Sequence, residues 1–393
     1  MVTFLPSRSG RLADVPSFTR TIGGAESNVA CALAAVGHRA KWVSRVGRDG
    51  FGDHLVETIA AYGVDVSAVG RDAERPTGIY FRTATDRATE AHEVAYYRAG
   101  SAASAMSPAT VAYEVVGDGR ILHVSGITAA LSEDCLGLMR ELTAARVDRP
   151  LVSFDVNFRA GLWRDGSGPR VLLELARGAD LVFVGEDEAE EAWGVVGPDA
   201  VRAALPEPAV LVVKRGGRGA VVFERCAGPF PSIAGEAGFP ARPAFEDPAG
   251  GRTGSGAEPR FREGAGWGKA PRSGPHAPAP APADAPAPAP AHAPDTVTFV
   301  PAPTVDVVAP VGAGDAFAAG FLSGTLRGLG VRERIRHGHL MAAAALTVAG
   351  DLGAPARTVH ADRLVALDDE GWGRLHLGPG WTRTGEDQEV RTS

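Results

Sequence analysis

Hydrophobic positions along this chain recur with two periods, and each change of period marks an element. KWVSRVG reads as a strand, and DGFGDHLVETIAAYGVD after it has helical spacing closed by Gly63. Upstream, GGAESNVACALAAVG places Val29, Ala30, Leu33, Ala34 and Ala35 on a helix that Gly37 ends, with Asn28 one turn in. RILHVSGI is a strand, followed by a helix from about Ser132. RPLVSFDVNFR is another strand, and ADLVFVGEDEAEEAW combines a strand with an acidic helix start. AVLVVKRGGRGAVVFE reads as strand, glycine turn and strand, TVTFVPAP as a further strand, and two helices are expected at about 314–328 and 333–349. This βα alternation predicts an α/β fold with a mainly parallel sheet covered by helices.

Two stretches break the alternation. MVTFL and SFTRTI are short β-like pieces before residue 23, and TGIYFRTAT and HEVAYYRAG predict a β-hairpin over about 77–102. Period two puts Gly78, Tyr80 and Arg82 on one face of the first hairpin strand, and Tyr96 and Arg98 on one face of the second. An aromatic and arginine face can clamp a polar ligand, and can equally be a solvated sheet surface. At the end of RPLVSFDVNFR, Asp155, Asn157 and Arg159 are expected opposite Phe154, Val156 and Phe158. The carboxyl end of a buried strand is where open α/β sheets bind ligands.

DVVAPVGAGDAFAAG, residues 306–320, joins an expected strand containing Val307 and Val308 to a helix through Gly312 and Gly314. Glycines at a helix start leave N–H groups bare at the positive end of the dipole, a natural anion site. Asp315 beside it would repel an anion unless it takes a proton from a hydroxyl that attacks a phosphoryl group. On this segment alone, a helix cap explains Asp315 equally well.

Composition narrows the function classes. The 393 residues are 45% hydrophobic and 22% charged, enough for a sizeable core, and a net charge of −7 argues against a general nucleic-acid or membrane surface. Cys31, Cys135 and Cys226 lie far apart without a CxxC pair, against a disulfide framework or zinc site, and a reducing cytoplasm is expected. No apolar signal core or membrane span is read. Residues 228–294, ending in PRSGPHAPAPAPADAPAPAPAHAP, are expected to be a disordered insertion, spacer or interaction segment, and 378–393 a polar tail.

GGAESNVACALAAVG and DVVAPVGAGDAFAAGF together resemble the two signatures of the ribokinase-like carbohydrate kinases, the PfkB family. YYRAGSAASAMSP, VSGITAALS and DVNFRAGLW look most like the 2-keto-3-deoxygluconate kinases within it. The resemblance implies a doubly wound, mainly parallel sheet over residues 1–377, with a small β-sheet lid from strands at about 11–22 and 77–102. It implies phosphorylation of that sugar acid by ATP with Mg2+, leaves room for a monovalent cation, and suggests a homo-oligomer.

In this reading Asp315 matches the catalytic base, and Gly312, Ala313 and Gly314 the backbone anion hole. Gly24, Asn28, Tyr80, Tyr96, Arg98, Arg159 and Asp351 match sugar-side positions, the arginines suiting a carboxylate. Lys214, Arg215, Gly216, Gly217, Arg218 and Gly219 match a loop lining the nucleotide, with His339 on its adenine side, and Glu188 matches the acid of an Asn-x-x-Glu metal motif. Gly185 stands where that motif starts with Asn, and His339 where relatives often carry Asn. Family members begin with a core strand ending near Gly-Glu, and Met1 lies just beyond it, so translation is expected to start upstream. A fructokinase-like enzyme and a catalytically weak sugar-acid-binding protein are the alternatives.

Overall fold

A computed structural model describes residues 1–8, 10–83, 94–163, 165–225 and 294–383. The expected disordered insertion, most of the polar tail, and the hairpin connection at 84–93 lie outside the described residues. The chain opens with β1 (Val2–Pro6) and β2 (Phe18–Ile22), then α1 (Ala25–Ala35), β3 (Ser44–Gly47), α2 (Gly50–Ala61) and β4 (Val69–Asp72). The hairpin strands β5 (Ile79–Arg82) and β6 (Val94–Tyr97) follow. After the short α3 (Tyr113–Gly117) come β7 (Ile121–Ser125), α4 (Gly126–Ala129) and α5 (Glu133–Thr143). Asp49 caps α2 through the Gly52 N–H at 2.8 Å. Ser132 caps α5 through the Cys135 N–H at 3.1 Å, so the predicted start near Ser132 has a physical cause.

The βα pattern continues through β8 (Leu151–Asp155), α6 (Gly168–Arg177), β9 (Leu181–Gly185), α7 (Glu186–Trp193), α8 (Pro198–Ala204) and β10 (Val210–Lys214). β11 (Ala220–Arg225) and β12 (Asp295–Val300) complete a six-stranded sheet of order β12-β11-β10-β9-β8-β7, in which β7 to β10 are parallel. Near-continuous Val, Leu and Phe runs suit strands covered on both faces. Phe183, Val212 and Val222 pack toward α1 and the later helices α9 (Ala313–Leu326) and α10 (Val331–Leu346), while Val182, Leu211 and Val213 pack toward α5 and α6. Each fully buried side chain of this kind contributes about 1.5–3 kcal/mol. The chain then runs through α11 (Thr358–Val365), α12 (Asp369–Gly373) and β14 (His376–Leu377), which pairs in parallel with β13 (Thr304–Val305). Among the described residues, β3 and β4 pair only with each other, and β7 ends the larger sheet. All described elements lie in one compact unit. No helix among the described residues is long and apolar enough to cross a membrane.

Two expectations need correction. The strand read through Val307 and Val308 is absent, and both residues are about half exposed. The N–H groups of Val308 and Ala309 donate to the Leu346 carbonyl at the end of α10, and Pro310 has none to give, so no sheet partner is left for this backbone. The small second sheet has the order β2-β1-β5-β6, with β1 at its centre pairing in parallel with β5. The expected lid strand at 11–22 is narrower, since Leu12–Asp14 form a 3-10 turn and only Phe18–Ile22 pair.

β11 and β12 are antiparallel neighbours in register from Ala220↔Val300 to Arg225↔Asp295, so the long stretch at 226–294 leaves and rejoins the sheet at paired positions. Arg202 grips Asp295 with two hydrogen bonds, at 2.8 and 2.7 Å, and fixes the return. Replacing 226–294 by Asn-Gly is expected to preserve the fold and add on the order of 2 kcal/mol through shorter loop closure. Urea unfolding measures this, and a variant that does not fold would refute the independence of the sheet from that stretch.

Candidate functional site

The site is built around the start of α9. Gly312 has φ 76°, and a Cβ there would overlap the Asp351 carbonyl oxygen, so glycine is required by both conformation and space. No side chain caps α9, and the first helical bond back runs from the Ala316 N–H to the Gly312 carbonyl at 2.9 Å. The N–H groups of Ala313, Gly314 and Asp315 therefore have no acceptor within the helix, an arrangement that can receive an anion. Asp315 is the third residue of α9 and not its cap. Its Oδ2 accepts a 2.8 Å hydrogen bond from Asn28 Nδ2 on α1. Although Asp315 keeps a path to solvent, burial pushes its pKa up to about 7; the Asn28 bond and Lys214 pull it down, and Asp155 and Glu26 push it further up.

Among the positions expected to face a sugar, Gly24 (φ 139°) precedes α1 and its carbonyl accepts from the Asn28 N–H at 2.8 Å. Asn28 is buried and its Oδ1 has no partner, leaving an acceptor for a ligand hydroxyl. Tyr80 and Tyr96 stand in register on β5 and β6 with rings 5.5 Å apart, and the Arg98 guanidinium lies 4.9 Å from the Tyr96 ring centroid. Burial lowers the Arg98 pKa, opposed by Tyr96 and by Glu26. Arg159 lies in a different neighbourhood, where its half-exposed guanidinium meets Glu188 Oε1 at 3.3 Å. The two arginines are thus presented from separate elements, as their positions in the chain imply.

Asp351 is only 4% exposed and joins four segments. It accepts from the Tyr80 hydroxyl at 2.5 Å, pairs with Arg82 Nη2 at 3.0 Å, and its backbone packs under Gly312. A Cβ at Gly23 would stand 2.6 Å from its Oδ2, and Arg82 also donates to the Ala349 carbonyl at 2.7 Å. Strand β5, the turns before α1 and α9, and the loop after α10 all meet at this buried ion pair.

Lys214, Arg215, Gly216, Gly217, Arg218 and Gly219 connect β10 to β11, with Gly216 and Gly219 at φ 55° and 119°. Arg215 Nε reaches Glu186 Oε2 at 3.1 Å and Arg218 pairs with the same oxygen, so one buried carboxylate shapes the loop. Lys214 turns the other way and holds both oxygens of Asp155 at 3.0 Å. His339 is buried on α10 with Nε2 3.2 Å from the Val300 carbonyl and its ring 5.2 Å from Phe317; burial pushes its pKa down to about 4 against that bond. The structure places it in the core between α9 and β12.

Glu188 Oε2 accepts from the Gly185 N–H at 3.0 Å, and a Cβ at Gly185 would stand 2.5 Å from Asp187 Oδ1. Glu188 thus closes the first turn of α7 while touching Arg159. Among the described residues no group of three His, Cys, Asp or Glu side chains is placed to hold a metal ion.

Sequence reasoning singled out neither Asp155, Glu26 nor Arg82 as a site residue. Alternation did put Asp155 on the polar face of its strand end and Arg82 on the face of Tyr80, which was a usable signal. Glu26, which accepts from Thr128 Oγ1 at 2.6 Å, lay unremarked between Gly24 and Asn28.

A family model described as pfkB family carbohydrate kinase matches residues 2–247 and 291–357. The chain is 30% identical to a 2-dehydro-3-deoxygluconokinase of Bacillus subtilis (strain 168), over 91% of this chain and 90% of that one. It is 32% identical to Fructokinase-1 of Oryza sativa subsp. japonica, over 57% and 71% respectively. Among solved structures, the PfkB protein of Polaromonas sp. JS666 superposes with a TM-score of 0.64 at 28% identity, covering 89% of this chain and 94% of that one.

Proposed function

The chain belongs to the pfkB family of carbohydrate kinases, and we propose that it transfers a phosphoryl group from ATP to the terminal hydroxyl of 2-keto-3-deoxy-D-gluconate. The observation that carries the chemistry is Asp315, a carboxylate of raised proton affinity inside an uncapped helix turn. It takes the hydroxyl proton while the N–H groups of 313–315 receive the charge of the transferring group. Asn28 fixes the carboxylate from α1, and its free oxygen is an acceptor for the sugar. Tyr80 and Tyr96 wall the sugar side, with Asp351 bonded to the Tyr80 hydroxyl and Gly24 following Gly23, which packs against both.

The nucleotide is assigned to the turn at 215–219, whose glycines admit close backbone approach, and His339 supports that side from within the core. Magnesium in kinases is held largely by nucleotide phosphates and one or two carboxylates, and supplies charge neutralisation there. Glu188, which matches the acid of the family's metal motif, would hold it through Oε1 after release from Arg159.

Two arginines favour an acidic sugar over a neutral one. Arg98 is partly buried against Tyr96, and the exposed, single-atom contact of Arg159 with Glu188 is weak enough to exchange for a substrate carboxylate. The test is a substrate panel on the purified enzyme, comparing the sugar acid with fructose. Arg98→Met is expected to reduce kcat/KM for the acid by roughly 10–100-fold, the size of one charge-assisted hydrogen bond, and to change fructose turnover little. A wild-type enzyme that prefers fructose would replace this reading with a fructokinase one, which the rice relative's name keeps in view.

A further inference from the structure

Asp155 and Lys214 end two strands that lie on either side of β9 in the sheet. Each Asp155 oxygen is 3.0 Å from Lys214 Nζ, and their side chains are only 3% and 17% exposed. Such a pair could simply close the end of the sheet. The position of the ammonium argues for more, because it stands 3.5 Å from where a Cβ at Gly314 would be. It therefore lies against the second residue of the uncapped α9 turn, at the place where anion-binding N–H groups and the carboxylate of Asp315 meet.

We propose that Lys214 is a catalytic cation for the transferring phosphoryl group, and that Asp155 is a positioning residue that aims its ammonium at the α9 turn. The inference rests on the phosphoryl-transfer reading above. In the step, the sugar oxygen forms a bond to the terminal phosphorus of the nucleoside triphosphate, and its proton passes to Asp315. The bridging P–O bond breaks, and its electron pair leaves with the nucleoside diphosphate. Lys214 and the 313–315 N–H groups face the negative charge that spreads over the moving group.

Lys214→Met is expected to lower kcat by about 10²–10³-fold, as for loss of one preorganised donor, with nucleoside diphosphate affinity changed less than about threefold by calorimetry. Lys214→Arg should recover part of kcat. Asp155→Asn should lower kcat by about 10-fold, with the nucleotide KM nearly unchanged. It should also move the acidic limb of the pH–rate profile to lower pH. Asp315 is faced by Asn28 and Glu26 from α1, Asp155 from β8 and Lys214 from β10, and the change removes one negative neighbour while leaving the positive one. That shift follows from charge alone; what a pair that only closes the sheet would not give is the loss of kcat in Lys214→Met with its partial recovery in Lys214→Arg.

If Lys214→Met does not fold, Lys214→Met/Asp155→Leu removes both buried charges and should fold with the same loss of kcat. Near-normal kcat in either folded variant, or a loss confined to nucleotide affinity, would overturn the proposal. The arms separate the two readings: turnover retained in Asp315→Asn removes the base, a different preferred sugar changes only the substrate, and neither outcome mimics loss of a Lys214 effect.

Discussion

Replacing Asp315 with Asn is expected to lower kcat by about 10³-fold, within the range contributed by a positioned general base, while sugar affinity stays within a few-fold. The substitution keeps the side chain's shape and an oxygen for the Asn28 Nδ2 donor, so the α1–α9 junction should remain intact. What disappears is the proton acceptor. In the unmodified enzyme, kcat/KM should fall about tenfold per pH unit below about 7, because a carboxyl held at that pKa is protonated on the acidic side. Between 3.8 and about 7 the folded protein holds a proton at Asp315 that the unfolded chain releases. This group's contribution to stability therefore decreases as pH rises through that window. Steady-state kinetics with calorimetric sugar titration checks the first expectation, and near-normal turnover of Asp315→Asn would refute the role.

Arg82→Met should destabilise the fold by about 3–5 kcal/mol, because it strands a buried carboxylate without its counter-charge. Arg82 and Asp351 are 5% and 4% exposed, and their contact is a charge pairing more than an aligned hydrogen bond, with Asp351 Oδ1 otherwise without a partner. Removing the second charge in Arg82→Met/Asp351→Asn should restore at least half of the lost stability. Urea denaturation of the three proteins measures both effects. An unchanged midpoint for Arg82→Met would mean that water or rearrangement neutralises Asp351, and the pair would not hold the site's turns together.

The sequence made the helices legible because their apolar spacing, their glycine ends and the cap at Ser132 are local properties. The anion turn was legible for the same reason, since Gly312, Gly314 and Asp315 lie within four residues. The segment alone left Asp315 open between cap and base, and only the family resemblance favoured the base; that α1 supplies Asn28 to it from 287 positions away was not legible. Longer-range pairings were not legible in periodicity: Tyr80 with Asp351, Lys214 with Asp155, and β1 inserted beside β5. The apparent strand at Val307 and Val308 shows the reverse error. Side chains favoured β structure, but the backbone N–H groups were already committed to the end of α10.

The meeting point around Asp351 also divides the pocket into parts with different freedom to evolve. A new side chain at Gly23 or Gly312 collides with this junction, and a change at Tyr80 or Arg82 breaks one of its bonds, so these positions can drift only in concert. Tyr96 is 49% exposed and carries no such obligation, and Arg98 beside it is only partly buried. Under the proposed sugar-kinase reading, shifts in substrate preference are therefore most accessible at Tyr96 and Arg98, through single substitutions that leave the Asp351 junction undisturbed.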